Sequence, residues 1–211
     1  MADTTRAAGR RIRGMDADQR RARRRDDLLA AALDLFASAG YPNTTIEQVC
    51  QAAYVGTKGF YEIFDSKEAC YVALLAQVSG QIEDRMVTAL RDAPADEPAA
   101  TRVLLTTFAH ALVDDPRLAK VTFGQAGGIS AAVERQRRAN RRWAADFMTS
   151  VWQRYGAAAD PRLNRVAIGV IGGLFDLVAD WMLDADPADP AQRESLIADL
   201  TAFYEAVRHG L

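Results

Sequence analysis

The chain has 211 residues, of which 49% are hydrophobic and 26% are charged, and its formal net charge is −2 at pH 7. This composition is typical of a soluble globular protein, and the length permits one large domain or two small ones. The sequence has no run of about 18 uninterrupted apolar residues and no apolar signal segment near its N-terminus, so we expect a cytoplasmic protein without a membrane span.

Cysteine and histidine are scarce, with two residues of each. Cys50 and Cys70 form no CxxC pair and have no cluster of His beside them, which predicts small core residues and neither a metal site nor a disulfide framework. The sequence also lacks a Gly-rich phosphate loop, a GxSxG elbow and an HExxH zinc motif. We therefore expect a protein that is not an enzyme and that needs no cofactor.

Charge is unevenly distributed along the chain. Residues 1–25 carry nine Arg against three Asp, whereas residues 68–211 carry 15 Lys and Arg against 19 Asp and Glu. Because residues 1–22 contain almost no large apolar side chain, we expect a disordered basic arm there. Such an arm either only keeps the chain soluble or neutralises nucleic-acid phosphates, and its position beside the pattern described next favours the second role.

Three short segments between residues 23 and 66 have apolar residues at helical spacing. The first helix is predicted from about Arg23 to Ala39. In the second segment, Thr44 and Glu47 have the spacing of a capping box, which would fix the start of that helix. The apolar positions of the second and third segments are Ile46, Val49, Cys50, Ala53 and then Phe60, Ile63, Phe64. The short gap between the two sets is typical of a helix-turn-helix.

The outer side of the third segment is small, polar and cationic, which suits a helix that lies in the major groove of DNA. Small residues permit close approach, Thr and Lys reach base edges or phosphates, and a Tyr hydroxyl donates to phosphates. An ordinary helical hairpin with a solvated outer face fits the same spacing, so spacing alone leaves both interpretations open. The residues on this side are Gly56, Thr57, Lys58, Gly59 and Tyr61.

From about Arg24 to Tyr71 the sequence resembles the DNA-binding domain of the tetracycline-repressor (TetR) family of transcriptional regulators. The similar runs are LLAAALDLFASAGYPNTTIEQVCQAA and VGTKGFYEIFDSKEACY. The resemblance implies that the second helix of the pair reads a double-stranded DNA operator. We expect Thr57 and Lys58 to contact base edges. Phosphate contacts or supporting backbone contacts are expected from Arg24, Thr44, Thr45, Gly56, Gly59, Tyr61 and Lys67.

Three positions depart from the usual residues of the family. Tyr54 stands in the turn where Gly is frequent, and a left-handed conformation there would cost on the order of 1 kcal/mol. Gly56 replaces the usual Ser cap, so either Thr57 or Gly56 itself must begin the reading helix. Ile63 stands where His or Tyr is common. These departures keep an alternative function open, a dimeric helical module that binds small molecules or proteins and has lost operator binding.

The rest of the chain is predicted to be helical throughout, so the expected fold class is all-α with about nine helices. Residues 23–66 would form the DNA-binding domain and residues 67–211 a ligand-binding and dimerisation domain. Further helices are expected at about 67–90, 100–114, 116–125, 130–155, 162–184 and 190–209. One run of arginines is expected on a solvated helix face. Its members are Arg135, Arg137, Arg138, Arg141 and Arg142.

By resemblance, the last two helices of each subunit form a four-helix bundle with their two-fold mates, which implies a homodimer and a pseudo-palindromic operator. The helix at 162–184 is apolar nearly all round, which supports a partner outside the subunit, although an internal core would explain the same pattern. The residues expected at this interface are Val170, Leu174, Leu177, Trp181, Leu196, Leu200 and Phe203.

The resemblance also implies that a small apolar effector enters the helical body between the fourth and seventh helices and releases the operator, with repression the commoner outcome in the family. Aromatic and polar residues on suitable helices are candidates for the pocket, and each would also fit an ordinary core. They are Phe108, His110, Phe123, Trp143 and Phe147.

Overall fold

The computed structural model describes residues 16–123 and 130–210, and within these ranges all regular secondary structure is helical. This confirms the predicted all-α class. The described residues form nine helices, α1 Ala17–Ser38, α2 Ile46–Ala52, α3 Thr57–Tyr61, α4 Lys67–Arg91, α5 Glu97–Val113, α6 Pro116–Phe123, α7 Ala131–Arg154, α8 Pro161–Asp184 and α9 Pro190–Arg208.

Helix α1 begins six residues earlier than the sequence predicts. Asp16 and Gln19 form a reciprocal capping box, in which the Gln19 N–H donates to Asp16 Oδ1 at 2.8 Å and the Asp16 N–H donates to Gln19 Oε1 at 3.1 Å. Arg is a good helix former, so the basic run continues the helix once it has been capped. The expectation of a disordered arm is therefore wrong for residues 17–22, while residues 1–15 lie outside the described residues.

Helix α2 is capped by Thr45 and not by Thr44. The Gln48 N–H donates to Thr45 Oγ1 at 3.2 Å, and the Thr45 N–H donates to Gln48 Oε1 at 2.8 Å. Thr44 is buried instead, and its hydroxyl donates to the Gly40 carbonyl at 2.8 Å. Two adjacent threonines are each followed three residues later by Glu or Gln, so sequence spacing alone did not decide between them.

Two apolar cores meet along α4. The first contains the buried side chains of α1, α2 and α3, extends along α4 as far as Val78, and includes Val121 of α6 and Val133 of α7. The second is formed by the remainder of the body, from Met86 to Tyr204. Since α4 contributes to both cores, it connects the helix-turn-helix with the body.

Helix α8 packs on α7 and α9 with one side and leaves apolar residues on another. The close packing of α9 accounts for a glycine at position 173 of α8, because a Cβ added there would lie 2.5 Å from Cζ of Phe203. By length and composition α8 would suffice to cross a membrane, a test that core helices of soluble proteins also pass, and 28% of its apolar stretch is buried within the subunit. Two of its large apolar side chains, Ile168 and Leu183, are exposed in the single chain.

The structure corrects part of the predicted dimer interface. Val170, Leu174, Leu196 and Leu200 are all buried inside the subunit, with exposed fractions of 3%, 2%, 1% and 0%. They therefore belong to the core of one chain. Helical periodicity did not reveal this, because a helix that is apolar nearly all round gives no indication of which side faces its own subunit. The other three predicted residues, Leu177, Trp181 and Phe203, are partly buried against the same core.

Candidate nucleic-acid interface and ligand pocket

Helix α3 separates a buried side from a polar side within five residues. Phe60 is 1% exposed and anchors the helix in the first core, where Phe64, just beyond its end, packs against it with ring centroids 5.6 Å apart. Thr57, Lys58 and Tyr61 are exposed, Tyr61 to 53%. Tyr61 follows Thr57 by four residues and Lys58 by three, so it neighbours both on the helix surface, and the three side chains form a single outward surface. We call Thr57, Lys58 and Tyr61 the α3 surface.

The turn before α3 has an unusual backbone. Tyr54 has a φ of +54°, so the chain keeps a left-handed conformation at this position although the residue is not Gly. Its side chain is 98% exposed, so packing within the subunit does not offset the strain. Gly56 follows as the N-cap residue of α3 in an extended conformation. Having no side chain, Gly56 leaves the first N–H groups of α3 to other acceptors.

Gly59 and Arg24 position α3 on α1. A Cβ at residue 59 would lie 2.9 Å from Cγ1 of Val55 in the preceding turn, so a larger residue would require Val55 to shift, and it would contact Nη1 of Arg24 at an ordinary distance of 3.7 Å. Arg24 Nη1 also forms an ion pair of 3.1 Å with Glu62 Oε2, and Arg21 Nη2 donates to the Glu62 carbonyl at 3.1 Å. Both arginines therefore hold the C-terminal end of α3, where cations are favoured by the helix dipole.

Lys67 ties the start of α4 to the loop before α2. Its Nζ donates to the carbonyls of Tyr41 at 2.8 Å and Thr44 at 2.7 Å, and it lies 4.3 Å from the Tyr41 ring centroid. An ammonium group has three donors, so one N–H remains beyond these two bonds. The predicted phosphate contact by Thr44 conflicts with its burial and its internal hydrogen bond, whereas Thr45 is exposed at the start of α2.

A cavity of about 350 Å³ lies within the body between α4, α5, α7 and α8. This volume is in the range of pockets that hold small organic ligands. Four of the five predicted pocket residues line it, and the sequence had not indicated its polar lining residues. The aromatic lining comprises Phe108, Phe123, Trp143, Phe147, Phe175 and Tyr204, and the charged or amide lining comprises Glu83, Arg137, Asn140, Arg141 and Asp176.

His110 is the predicted pocket residue that the structure places elsewhere. Its side chain is 40% exposed, and Nδ1 lies 2.8 Å from Oδ1 of Asp114 one turn later on the surface. The reason is geometric. His110 follows Phe108 by two positions, and residues two positions apart on a helix point to different sides.

Arg137 is an exception within the run of arginines. Arg135, Arg138, Arg141 and Arg142 are exposed, as expected for a solvated face. Arg137, however, is only 14% exposed; its Nη1 lies 4.0 Å from Glu134 Oε1, and its Nη2 donates to the Thr122 carbonyl at 3.1 Å. The missed signal was its spacing, since position 137 falls four residues after a buried apolar residue, Val133.

Tyr71 connects the cavity wall with the core around the helix-turn-helix. Its hydroxyl donates to the Val121 carbonyl at 2.9 Å. Burial raises the pKa of this hydroxyl, and the charge of Arg137 and a hydrogen bond from it act in the opposite direction. The Tyr71 ring packs edge-on against Phe36 and Tyr41, with centroids 5.2 and 5.1 Å apart. Arg137 and the first core are therefore joined through one side chain.

Comparison with known proteins agrees with this geometry at the N-terminal end. Residues 28–74 match the family model for bacterial regulatory proteins of the tetR family. The N-terminal domain of this chain belongs to the TetR family. The matched range begins in α1, covers α2 and α3, and ends in α4, so it coincides closely with the first core.

Similarity to the curated relatives covers only part of each chain. The HTH-type transcriptional regulator TcmR of Streptomyces glaucescens is 40% identical over 80 residues, which are 37% of this chain and 34% of TcmR. The HTH-type transcriptional regulator RutR of Escherichia coli K12 is 41% identical over 51 residues, 24% of each chain. The matches thus span about a third and about a quarter of these relatives.

Solved structures show that the whole body shares the fold. A putative transcriptional regulator from Pseudomonas aeruginosa PAO1 is similar with a TM-score of 0.70 at 19% identity, covering 93% of each chain. FadR from Bacillus subtilis, solved in complex with stearoyl-CoA, is similar with a TM-score of 0.67 at 19% identity, covering 84% of this chain and 98% of FadR. At these identities the likeness shows the fold alone.

Proposed function

We propose that this chain is a homodimeric, ligand-responsive transcriptional regulator that binds a pseudo-palindromic DNA operator and represses until an effector releases it. The observation that carries the proposal is the α3 surface, Thr57, Lys58 and Tyr61, held rigidly over buried Phe60 in a TetR-family domain. The two curated relatives described above are transcriptional regulators by name.

The exposure and hydrogen bonds of the candidate DNA residues support different roles for them, either direct contacts or structural supports. Thr57 and Lys58 are exposed at the start of α3, where a recognition helix presents side chains to base edges. Tyr61 and Thr45 are exposed hydroxyl donors for phosphates, and Lys67 has one further donor. Thr44, Gly59 and Arg24 act as supports, since their described interactions fix α2 and α3 within the domain.

The proposed dimer face is the side of α8 and α9 that the subunit leaves open. Ile168 and Leu183 on α8 are 44% and 78% exposed. At the exposed Gly169 no neighbouring atom of the described residues lies within 4 Å of an added Cβ, so another helix has room to approach. The adjacent exposed side of α9 consists largely of small residues, namely Ala191, Ser195, Ala198, Ala202 and Ala206.

Two-fold pairing through this face gives the regulator two copies of α3. In helix-turn-helix dimers the half-sites are separated by roughly 34–36 Å or a multiple of that distance, which is why the operator should be a pseudo-palindrome. An effector that reverses DNA occupancy from 99:1 to 1:99 must favour the released state by about 5.5 kcal/mol in total. The cavity beside α4 is the proposed effector site, and the stearoyl-CoA complex of FadR gives an example of a ligand bound by a protein of this fold.

The experiment is selection of bound fragments from random double-stranded DNA. The wild-type chain should enrich one pseudo-palindromic sequence, and the variant Lys58→Ala/Tyr61→Ala should not. Lys120→Ala serves as the control because Lys120 is an exposed cation on α6, away from the α3 surface. If the wild-type chain enriches no sequence, operator binding is refuted and the module without an operator becomes the better description.

A further inference from the structure

The cavity has an apolar wall and one cationic region, and this arrangement indicates which class of effector it would bind. Most of its wall is apolar, with aromatic rings from α5, α6, α7 and α8. Against this wall, one stretch of α7 presents three side chains that carry N–H donors, Arg137, Asn140 and Arg141. Two cations and an amide on a single helix face form a region where an anionic group is favoured.

Carboxylates are also present on the wall, but they come from other helices. Glu83 of α4 accepts a hydrogen bond from the Ser79 hydroxyl at 3.1 Å, and Asp176 of α8 is exposed. Arg137 has only 14% of its side chain in water, whereas Arg141 and Asp176 are exposed and Glu83 is partly buried. Because electrostatic interactions strengthen away from water, Arg137 should interact more strongly with a buried ligand charge than the exposed Arg141 does.

The present contacts of Arg137 can be exchanged for an anion. Besides its ion pair of 4.0 Å with Glu134, the guanidinium donates to a neutral acceptor, the Thr122 carbonyl, at 3.1 Å and interacts with the neutral Tyr71 hydroxyl. Hydrogen bonds to an ionised acceptor are roughly twice as strong as those to a neutral one. A carboxylate or similar acid in the cavity would therefore compete effectively for the guanidinium.

Loss of the contacts of Arg137 with Thr122 and Tyr71 would alter the packing beside the DNA-binding domain. Thr122 lies at the end of α6, whose Val121 packs in the first core and accepts from Tyr71. Tyr71 in turn packs on Tyr41, the residue whose carbonyl accepts from Lys67. One contiguous set of contacts thus leads from the cavity to the loop that precedes α2.

We propose that the effector is an organic anion with an apolar body, whose acid group binds Arg137 and displaces the Thr122 carbonyl from it. Only one part of this proposal rests on the proposed function, namely that the bound anion acts as an effector of DNA binding. Binding of such an anion to the cavity is measurable without DNA, which separates the two claims.

A matched pair of fluorescent probes tests the charge preference. 1-Anilinonaphthalene-8-sulfonate and N-phenyl-1-naphthylamine have the same ring system, and only the first carries an anionic group. In titrations with the full chain, the wild-type protein should bind the sulfonate at least about tenfold more tightly than the neutral amine, as expected for a hydrogen-bonded charge. Arg137→Met should reduce this ratio to within about twofold while leaving affinity for the neutral amine unchanged.

Two further variants make the result specific. Arg137→Lys retains the cation and should retain a preference for the sulfonate, so it remains informative if Arg137→Met does not fold. Arg138→Met removes an exposed neighbouring cation that does not line the cavity and should leave the ratio unchanged. An unchanged ratio in folded Arg137→Met, or equal binding of both probes by the wild-type chain, would overturn the proposal.

The link to DNA is tested separately with a fragment obtained by selection. The sulfonate should release that fragment from the wild-type chain and should require at least about tenfold higher concentration to release it from Arg137→Met. Failure to bind any fragment without probe contradicts the proposed function alone, since the probe ratio is still measured. An intact DNA complex with no probe preference contradicts the anionic effector alone.

Discussion

Tyr54 is held in the left-handed region beside the α3 surface although nothing in its burial favours a bulky residue there. Its φ is +54° and its side chain is 98% exposed. Asn adopts this conformation more readily than Tyr, and a β-branched residue adopts it less readily. We therefore expect Tyr54→Asn to raise the free energy of unfolding by about 1 kcal/mol and Tyr54→Val to lower it by a similar amount. Urea denaturation monitored by circular dichroism measures the free energy of unfolding of both variants. A lower free energy of unfolding in Tyr54→Asn would contradict the claim that the backbone at Tyr54 is strained.

The two thiols test the packing of the first core. Burial raises the pKa of the Cys70 thiol to about 12, with the positive charge of Arg25 acting in the opposite direction, and burial also raises the pKa of Cys50. Only the thiolate reacts with a disulfide reagent. At pH 8 the folded chain should therefore react with dithionitrobenzoate only at its unfolding rate, and both thiols should react at once in denaturant. Rapid reaction of either thiol in the folded protein would show that this core is open.

The same shift has a consequence for stability at high pH. The pKa of Cys70 in the folded chain lies above the value near 8.5 of an unfolded thiol, so the folded state favours the protonated thiol. The contribution of this thiol to the free energy of unfolding is therefore fully present below about pH 8.5 and is lost as pH rises toward 12. The Cys70→Ala variant should show a weaker decline in that pH range than the wild-type chain.

At the scale of helices, the contact of α8 with α9 depends on Gly173. An added Cβ would lie 2.5 Å from Cζ of Phe203, whereas at Gly80 of α4 no atom of the described residues lies within 4 Å. Replacing a helical Gly with Ala gains about 1 kcal/mol from helix propensity. Gly80→Ala should thus raise the free energy of unfolding. Gly173→Ala should have a free energy of unfolding at least about 1 kcal/mol below that of Gly80→Ala, because the added methyl group overpacks the contact with α9.

Thermal and urea unfolding of these two variants provide the comparison. Adding Phe203→Leu to Gly173→Ala should recover part of the loss, since the shorter side chain removes the ring that blocks the methyl group. Equal stabilisation by Gly80→Ala and Gly173→Ala would show that α9 does not approach α8 as closely as the structure indicates.

The helices themselves could be predicted from the sequence because their signals are local. Apolar spacing and a nearby capping residue identify α4 and α7, and Ser66 and Ser130 cap them as side-chain acceptors. Local signals did not determine what each helix faces. Arg137 was missed because a run of arginines is typical of a solvated surface, and its burial depends on α6 lying alongside α7. The inner side of α8 was likewise assigned to a partner, since only tertiary packing shows that Val170 is buried within its own chain.

At the scale of the whole molecule, the open side of α8 should hold two subunits together. Ile168→Glu would place a charge on the proposed dimer face and should convert the protein to monomers at micromolar concentration, because burying an unpaired charge is strongly unfavourable. Val103→Glu is a matched control, since Val103 on α5 is 40% exposed and Ile168 is 44% exposed. Sedimentation velocity distinguishes the two states, and a wild-type chain that sediments as a monomer would contradict the proposed pairing.

The most direct test of the central claim is a fluorescence anisotropy titration of the selected DNA duplex. The wild-type chain should saturate it with two subunits per pseudo-palindrome. The variant Lys58→Ala/Tyr61→Ala should bind at least about 100-fold more weakly, from the loss of one base contact and one phosphate contact in each subunit. Lys120→Ala should match the wild-type chain. Equal affinity of the wild-type chain and the Lys58→Ala/Tyr61→Ala variant would contradict the claim that the α3 surface reads DNA.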